Sequence, residues 1–200
     1  MMRVYFDTEF IEDGRTIDLI SIGLVREDGA TYYAESAEAD LSRASDWVRE
    51  NVFPSLDGHG SKMRAVIADE IRAFVGPDPE FWAYYADYDW VVLCQLYGRM
   101  IDLPDGWPMY CRDLKQLADE EGMPIKQEGS VHNALGDAQW VRDTHDEIIH
   151  RYDPCNAEIP SWTYFNPEQV DSYWIRCDNL GKHDEHADSD TGARWKTTDA

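Results

Sequence analysis

The start of the chain alternates between apolar, β-rich runs and short turn signals, and this alternation limits the fold more than any other feature. The runs cover residues 3–6, 19–25 and 31–34. Glu12-Asp13-Gly14 and Glu27-Asp28-Gly29 separate them, and Asp-Gly pairs between such runs are typical of tight turns joining antiparallel strands. We therefore predict that the chain opens with a three-stranded antiparallel meander.

Helical spacing replaces this alternation after residue 42. Apolar residues recur at helical intervals over residues 44–52, 63–75, 89–97, 114–121 and 133–152. Asp40 or Ser42 is the candidate cap of the first helix, and Gly76-Pro77 ends the second. A buried strand is predicted between the second and third helices, at residues 81–85. This order predicts an α/β fold in which helices flank a mixed sheet, although it does not single out one such fold.

Composition is consistent with one soluble domain. The 200 residues include 43% hydrophobic ones, enough to build a core. No apolar run approaches the roughly 20 residues of a membrane span, and the first ten residues lack the features of a signal peptide. Four cysteines without a C-x-x-C pair fit a reduced, cytoplasmic protein. We expect no membrane partner.

The formal net charge of −22 taken alone argues against a nucleic-acid partner. Affinity for phosphates usually comes from lysine and arginine. The charge does not exclude such a partner, because an acidic site that collects divalent cations presents positive charge locally. Solubility accounts for most of the acidic excess.

The character of the chain changes near residue 152. We predict one domain over residues 1–152, followed by an extended segment rich in proline and aromatic residues over 153–181. Residues 182–200 show no apolar periodicity, which is typical of a disordered tail.

Asp7 and Glu9 close the first apolar strand. Side chains two residues apart on a strand point to the same face, and paired carboxylates bind hard divalent ions through oxygen. The D-x-E string is common in so acidic a chain, since Asp78-Pro79-Glu80 also matches it. What distinguishes Asp7 and Glu9 is their place in an apolar strand, where an unpaired carboxylate is costly. The alternative is an ordinary polar strand end.

Asp89 follows the predicted strand at 81–85. An acidic residue at that point lies at the carboxyl edge of a sheet, where α/β proteins place ligands. The alternative is a helix cap, and Asp87 could equally fill that role.

His132 and Asp137 begin the last predicted helix. His132 is expected in the preceding loop and Asp137 one turn inside the helix. Gly136 is a poor helix former, costing about 1 kcal/mol relative to alanine, which suggests that something packs closely there. The H-x4-D string recurs at His183 and Asp188, and His132 taken alone is more often a surface histidine.

Taken together, these motifs occur in an order that resembles the DEDDh exonucleases, a family with the ribonuclease H-like fold. The chain is most similar to the small actinobacterial exoribonucleases of that family that act on poly(A). The similarity lies in four sequence segments, YFDTEFIEDG, DLISIGLV, VVLCQLYGRM and VHNALGDA. They fall within residues 1–152.

The resemblance implies a 3′–5′ exoribonuclease that releases nucleoside 5′-monophosphates from single-stranded RNA with adenosine-rich 3′ ends. It also implies a homodimer. His132 would be the general base, and two Mg²⁺ or Mn²⁺ ions would be held by four carboxylates, those of Asp7, Glu9, Asp89 and Asp137. Oxygen-only ligands favour these two metals. The family often has asparagine or a small residue near position 87, so Asp87 is a departure that leaves the choice between Asp87 and Asp89 open.

Four further residues are candidates for contact with the substrate, and a fifth, Lys115, accompanies Arg112. Phe10 is a candidate for stacking on the terminal base, although an aromatic residue at a strand end usually belongs to the core. Arg112 and Lys115 are expected on one helix face near phosphates, or else on a solvated face. Thr8 and Asp87 are the other candidates. Two alternative functions remain, a single-stranded DNA exonuclease and a non-catalytic nucleic-acid-binding module of the same fold.

Overall fold

The computed structural model describes residues 1–58, 60–127 and 132–150, and the backbone of four short strands beyond them. The chain divides into two compact units, Met1–His145 and Asp146–Ala200. The strands of the first unit are β1 Met2–Glu12, β2 Ile17–Arg26, β3 Thr31–Glu35, β4 Pro79–Ala83 and β5 Arg112–Asp113. The helices are α1 Asp46–Asn51, α2 Arg64–Val75, α3 Asp87–Gln95, α4 Leu114–Glu120 and α5 Ala134–His150.

The five strands form one sheet in the order β3-β2-β1-β4-β5. The first three strands pair antiparallel, and β4 and β5 run parallel to β1. The predicted mixed sheet with an antiparallel meander at its start is therefore confirmed. One register shift, between Glu9 and Phe10, interrupts the pairing of β1 with β2.

The main core lies on one face of the sheet. Side chains of β1 and β2 such as Phe6 and Leu24 are fully buried with apolar residues of α2 and α3, among them Ile71 and Leu93. The clustering follows from the period of two along the strands and the helical period of α2. Tyr5 points to the other face of the sheet.

That other face carries a polar contact within its core. The Tyr5 hydroxyl lies 3.0 Å from Nδ1 of the buried His145. The ring of Trp82 lies against the same imidazole, with centroids 4.3 Å apart. These contacts fix α5 on the sheet.

Several predicted boundaries shift in the structure. The fourth strand ends at Ala83 rather than residue 85, because Tyr85 has left-handed backbone dihedrals (φ 54°) and turns the chain toward α3. Ser45 caps α1 by accepting a hydrogen bond from the Val48 amide, whereas Asp40 caps the preceding 3-10 turn. The two-residue β5 was not predicted, since it is too short to show a period.

Beyond α5, β6 Glu158–Pro160 pairs antiparallel with β7 Trp174–Arg176, and β8 Glu185–Ala187 pairs with β9 Arg194–Lys196. The remaining residues of the predicted segments 153–181 and 182–200 lie outside the described residues. Their boundaries and the disorder of the tail stay predictions. In the part of the chain that the structure describes, no helix is both long enough and apolar enough to cross a membrane.

A glycine on β2 sets how closely α5 approaches the sheet. A Cβ added to Gly23 would lie 2.4 Å from backbone atoms of Ala134 and Leu135, far inside van der Waals contact. Gly23 pairs with Asp7 across the β-ladder, so the missing side chain would point to the same face as the Asp7 carboxylate. The beginning of α5 can therefore lie directly beside Asp7.

Gly136 does not play the packing role that the sequence suggested. The nearest described atom to a Cβ at this position is Oδ1 of Asn133, at 3.5 Å, which is an ordinary contact. The expectation of close packing at Gly136 is therefore wrong among the described residues, and the close approach occurs at Gly23 instead.

We expect Gly23→Ala to lower the free energy of unfolding by about 1–3 kcal/mol, because the added methyl group overlaps the α5 backbone. Gly136→Ala is the matched control. It should raise the free energy of unfolding by up to about 1 kcal/mol, since alanine favours the helix and meets no obstacle. Urea unfolding of both variants measures the difference, and equal stability of the two would contradict this account of the packing.

Candidate active site

Three carboxylates meet where the middle of β1 faces the beginning of α5. The strand continues to Glu12, so Asp7 and Glu9 do not close it as the sequence predicted. One carboxylate oxygen from each of Asp7, Glu9 and Asp137 lies within 4.8 Å of those of the other two. Asp7 and Glu9 share a face of β1, and Asp137 stands on the first turn of α5. The close contact at Gly23 explains how residues so far apart in sequence come together. We call these three residues the carboxylate cluster.

The carboxylate cluster is electrostatically unfavourable by itself. Burial raises the pKa of Glu9 to about 8, with further contributions from the charges of Asp137 and Asp89. The pKa of Asp7 is raised well above its ordinary value, first by burial and then by the charges of Asp89, Asp137 and Glu9. Asp7 as a residue is half-buried, and its carboxyl group is the part that protein atoms surround. A bound cation would offset this repulsion.

Asp89 lies beside the carboxylate cluster and is held there by Thr8. Its Oδ1 accepts a hydrogen bond from the Thr8 amide at 2.9 Å and another from the Thr8 hydroxyl at 2.5 Å. Burial raises the pKa of Asp89 to about 6, although both bonds from Thr8 act to lower it. Asp87 occupies the exposed first position of α3. The structure therefore places Asp89, rather than Asp87, against β1 at Thr8.

Thr8 itself is buried, and its hydroxyl is engaged by Asp89. It contributes to the site by orienting a carboxylate, and a direct contact between Thr8 and substrate stays a prediction. Phe10 is partly buried against the main core, and its ring lies 5.8 Å from that of the half-exposed Tyr88. Phe10 follows Glu9 directly along β1, whereas Tyr88 lies on α3.

The expectation that Arg112 and Lys115 share a helix face is wrong. Arg112 lies on β5, where it forms an ion pair of 3.2 Å with Glu80 and sits over the ring of Trp82. Lys115 lies on α4 and forms an ion pair with Asp119 one turn later. Each cation is therefore neutralised locally by an acidic neighbour.

His132 lies in the loop before α5 with left-handed backbone dihedrals (φ 68°). Its amide donates a hydrogen bond of 2.9 Å to Oδ2 of Asp137, and its carbonyl accepts one from the Ser55 hydroxyl. Its ring meets that of Trp47 edge to face, with centroids 4.7 Å apart. Asn133 caps α5, because its Oδ1 accepts a hydrogen bond from the Gly136 amide.

Several residues at the site had no signal in the sequence. Gln127 donates a hydrogen bond of 2.5 Å to Oδ1 of Asp137. Asp113 accepts bonds from the Ala86 amide and from the first turn of α4, and so fixes the turn that leads to Asp89. Gly23 belongs to the same group. Partners of this kind lie far apart in sequence and match no motif, so only the folded chain reveals them.

A family model for the 3′–5′ exoribonuclease Rv2179c-like domain matches residues 2–149. The chain belongs to this family. A curated relative, the 3′–5′ exoribonuclease Rv2179c of Mycobacterium tuberculosis strain H37Rv, is 46% identical over 147 residues, which cover 69% of this chain and 88% of the relative. The 3′–5′ exoribonuclease MT2234.1 of strain CDC 1551 gives the same identity and coverage.

Solved structures with little sequence identity share the fold. Pop2p of S. pombe, solved with Mg²⁺ and Mn²⁺ bound, has a TM-score of 0.51 and 17% identity, covering 75% of this chain and 83% of its own. E. coli exonuclease I, solved with zinc and single-stranded DNA, has a TM-score of 0.55 and 12% identity, covering 75% and 40%. The predicted family, the ribonuclease H-like fold and the exoribonuclease class are confirmed.

We expect His132→Gly and His132→Ala to differ in stability. Left-handed dihedrals cost roughly 1–2 kcal/mol for a residue with a Cβ and almost nothing for glycine. The free energy of unfolding of His132→Gly should therefore exceed that of His132→Ala by about 1 kcal/mol, as measured by urea unfolding. A lower stability of the glycine variant would show that residue 132 does not keep this conformation in solution.

Proposed function

We propose that the protein hydrolyses single-stranded RNA from its 3′ end to nucleoside 5′-monophosphates, using two divalent ions. The observation that carries the proposal is the carboxylate cluster with Asp89 beside it, four acids that are brought together and whose burial raises the pKa of each. A protein that only binds nucleic acid has no need for such a cluster. The names of the curated relatives, which are 3′–5′ exoribonucleases, support the same activity.

Four carboxylates would hold the ions, namely Asp7, Glu9, Asp89 and Asp137. Their donor atoms are all oxygen, which favours Mg²⁺ or Mn²⁺ over zinc. When bound, such ions neutralise the charge that develops on the attacking and leaving oxygens of a phosphodiester. The hydrogen bonds from Thr8 to Asp89, and from Gln127 to Asp137, orient two of the carboxylates and leave further lone pairs for a metal.

His132 is the proposed general base. Imidazole accepts a proton near neutral pH, and the contact between the His132 amide and Asp137 holds the residue next to the carboxylate cluster. Removal of its ring should slow turnover by about 10²–10⁴-fold, the usual contribution of a general base.

The proposed substrate is single-stranded RNA with an adenosine-rich 3′ end. RNA is the substrate that the names of the relatives give, and adenosine-rich 3′ ends and a homodimer follow only from the resemblance to poly(A) exoribonucleases. The ring of Phe10, backed by Tyr88, offers a surface on which a terminal base can stack. Asp87 is exposed at the start of α3 and is the remaining candidate for a substrate contact.

Digestion of labelled homopolymers tests the substrate. We expect poly(A) to be shortened from its 3′ end with Mg²⁺ or Mn²⁺ present, with AMP as product, and other RNA homopolymers and single-stranded DNA to be cut more slowly. Faster cutting of DNA would favour a proofreading or repair type of exonuclease. If no substrate is cut under any metal condition, the protein is a binding module and the proposal fails.

Asp7→Asn tests the metal site through stability as well as activity. Removing one negative charge from the carboxylate cluster should raise the melting temperature of the metal-free protein and abolish hydrolysis. Excess Mn²⁺ should stabilise the wild type by about 2.7 kcal/mol at a hundred times its dissociation constant, but not the variant. Exposed Asp105 supplies the control, since Asp105→Asn should keep both activity and the response to Mn²⁺. An active Asp7→Asn enzyme would refute the assignment.

A further inference from the structure

Trp47 is unusually exposed for a tryptophan. Its residue retains 53% of its accessible surface, although it lies on the short helix α1 in which only Val48 is buried. What it does contact is the ring of His132, edge to face at 4.7 Å between centroids. Tilted aromatic pairs at this separation are favourable and have a preferred geometry. The side chain therefore packs on His132 and is not one of the buried core residues.

The segment that follows α1 holds the backbone of the same loop. Ser55, in the 3-10 turn Phe53–Ser55, donates its hydroxyl to the His132 carbonyl. The Ser55 carbonyl in turn accepts a hydrogen bond of 3.2 Å from the side chain of Asn133. The turn begins directly after the C-cap of α1, so Trp47 and Ser55 belong to one local unit. That unit contacts both the ring and the main chain of His132.

We propose that Trp47 is a positioning residue that sets the orientation of the His132 imidazole during RNA hydrolysis. The inference rests on the proposed role of His132 as general base. The amide contact to Asp137 and the carbonyl contact to Ser55 fix only the main chain of His132, and the torsions of its side chain are fixed by a ring contact. Small misplacements of a catalytic group are costly, because a shift of about 1 Å can slow a reaction by about 10²-fold.

Two other roles for Trp47 lead to different measurements. If Trp47 stacks on a base of the RNA, removing its ring should mainly raise KM. If Trp47 only stabilises α1, removing its ring should lower the melting temperature and leave the kinetics of the folded enzyme unchanged. If Trp47 positions the imidazole, removing its ring should lower kcat and leave KM and the Mn²⁺ requirement unchanged.

The kinetics of Trp47→Ala and Trp47→Phe on poly(A) separate these roles. We expect Trp47→Ala to lower kcat by about tenfold or more with KM within twofold, and Trp47→Phe to retain most of kcat because it preserves a ring. Tyr110→Ala is the matched control, since Tyr110 is also an exposed aromatic residue (60%) and, among the described residues, its ring makes no contact with that of His132. The proposal would be overturned if Trp47→Ala left kcat unchanged, raised kcat, or raised only KM.

A double-mutant cycle with His132→Ala completes the test. If Trp47 acts through the imidazole, Trp47→Ala should have little further effect on kcat once that ring is absent. If instead the two losses multiply, Trp47 acts independently of His132 and the positioning role is wrong. Full activity of His132→Ala alone would refute the proposed general base, an outcome that is distinct from the failure of the positioning role.

Discussion

The contact between β2 and the beginning of α5 is the constraint on which the site depends. Because Gly23 has no side chain, the backbone of Ala134 can lie against the sheet at the level of Asp7. Any larger residue would lift the helix, and Asp137 would move with it. The carboxylate cluster thus exists because two backbones approach more closely than side chains normally allow, and its geometry is set by packing rather than by the acids themselves.

Bringing these buried carboxylates together is electrostatically unfavourable for the fold. Burial raises the pKa of Asp7, Glu9 and Asp89, and the charges of neighbouring acids raise those of Asp7 and Glu9 further, so the surrounding structure must hold these groups in place. Bonds from Thr8 and Gln127 stabilise two of the carboxylates without neutralising them. Such an arrangement stores unfavourable electrostatic energy that a divalent cation would relieve. The chain belongs to a family of 3′–5′ exoribonucleases, and under the proposed function the bound cation would also assist phosphodiester hydrolysis.

The positions of the basic side chains explain how so acidic a chain can act on RNA. Arg112 and Lys115, which the sequence offered as phosphate contacts, are paired with Glu80 and Asp119. Attraction for an RNA 3′ end would then come from bound metal and from aromatic stacking, more than from basic side chains. A net charge of −22 is compatible with a nuclease under those conditions.

The sequence by itself determined the meander, the order of helices and the acidic motifs, because alternation, helical period and turn residues are local properties. It correctly placed Asp7 and Glu9 on one face of β1, since a period of two is sufficient for that. The tertiary structure decided which of Asp87 and Asp89 meets β1, and it moved the point of close packing from Gly136 to Gly23. It also revealed the contact between Trp47 and His132. These features depend on contacts between residues distant in sequence, whose distances no local pattern encodes.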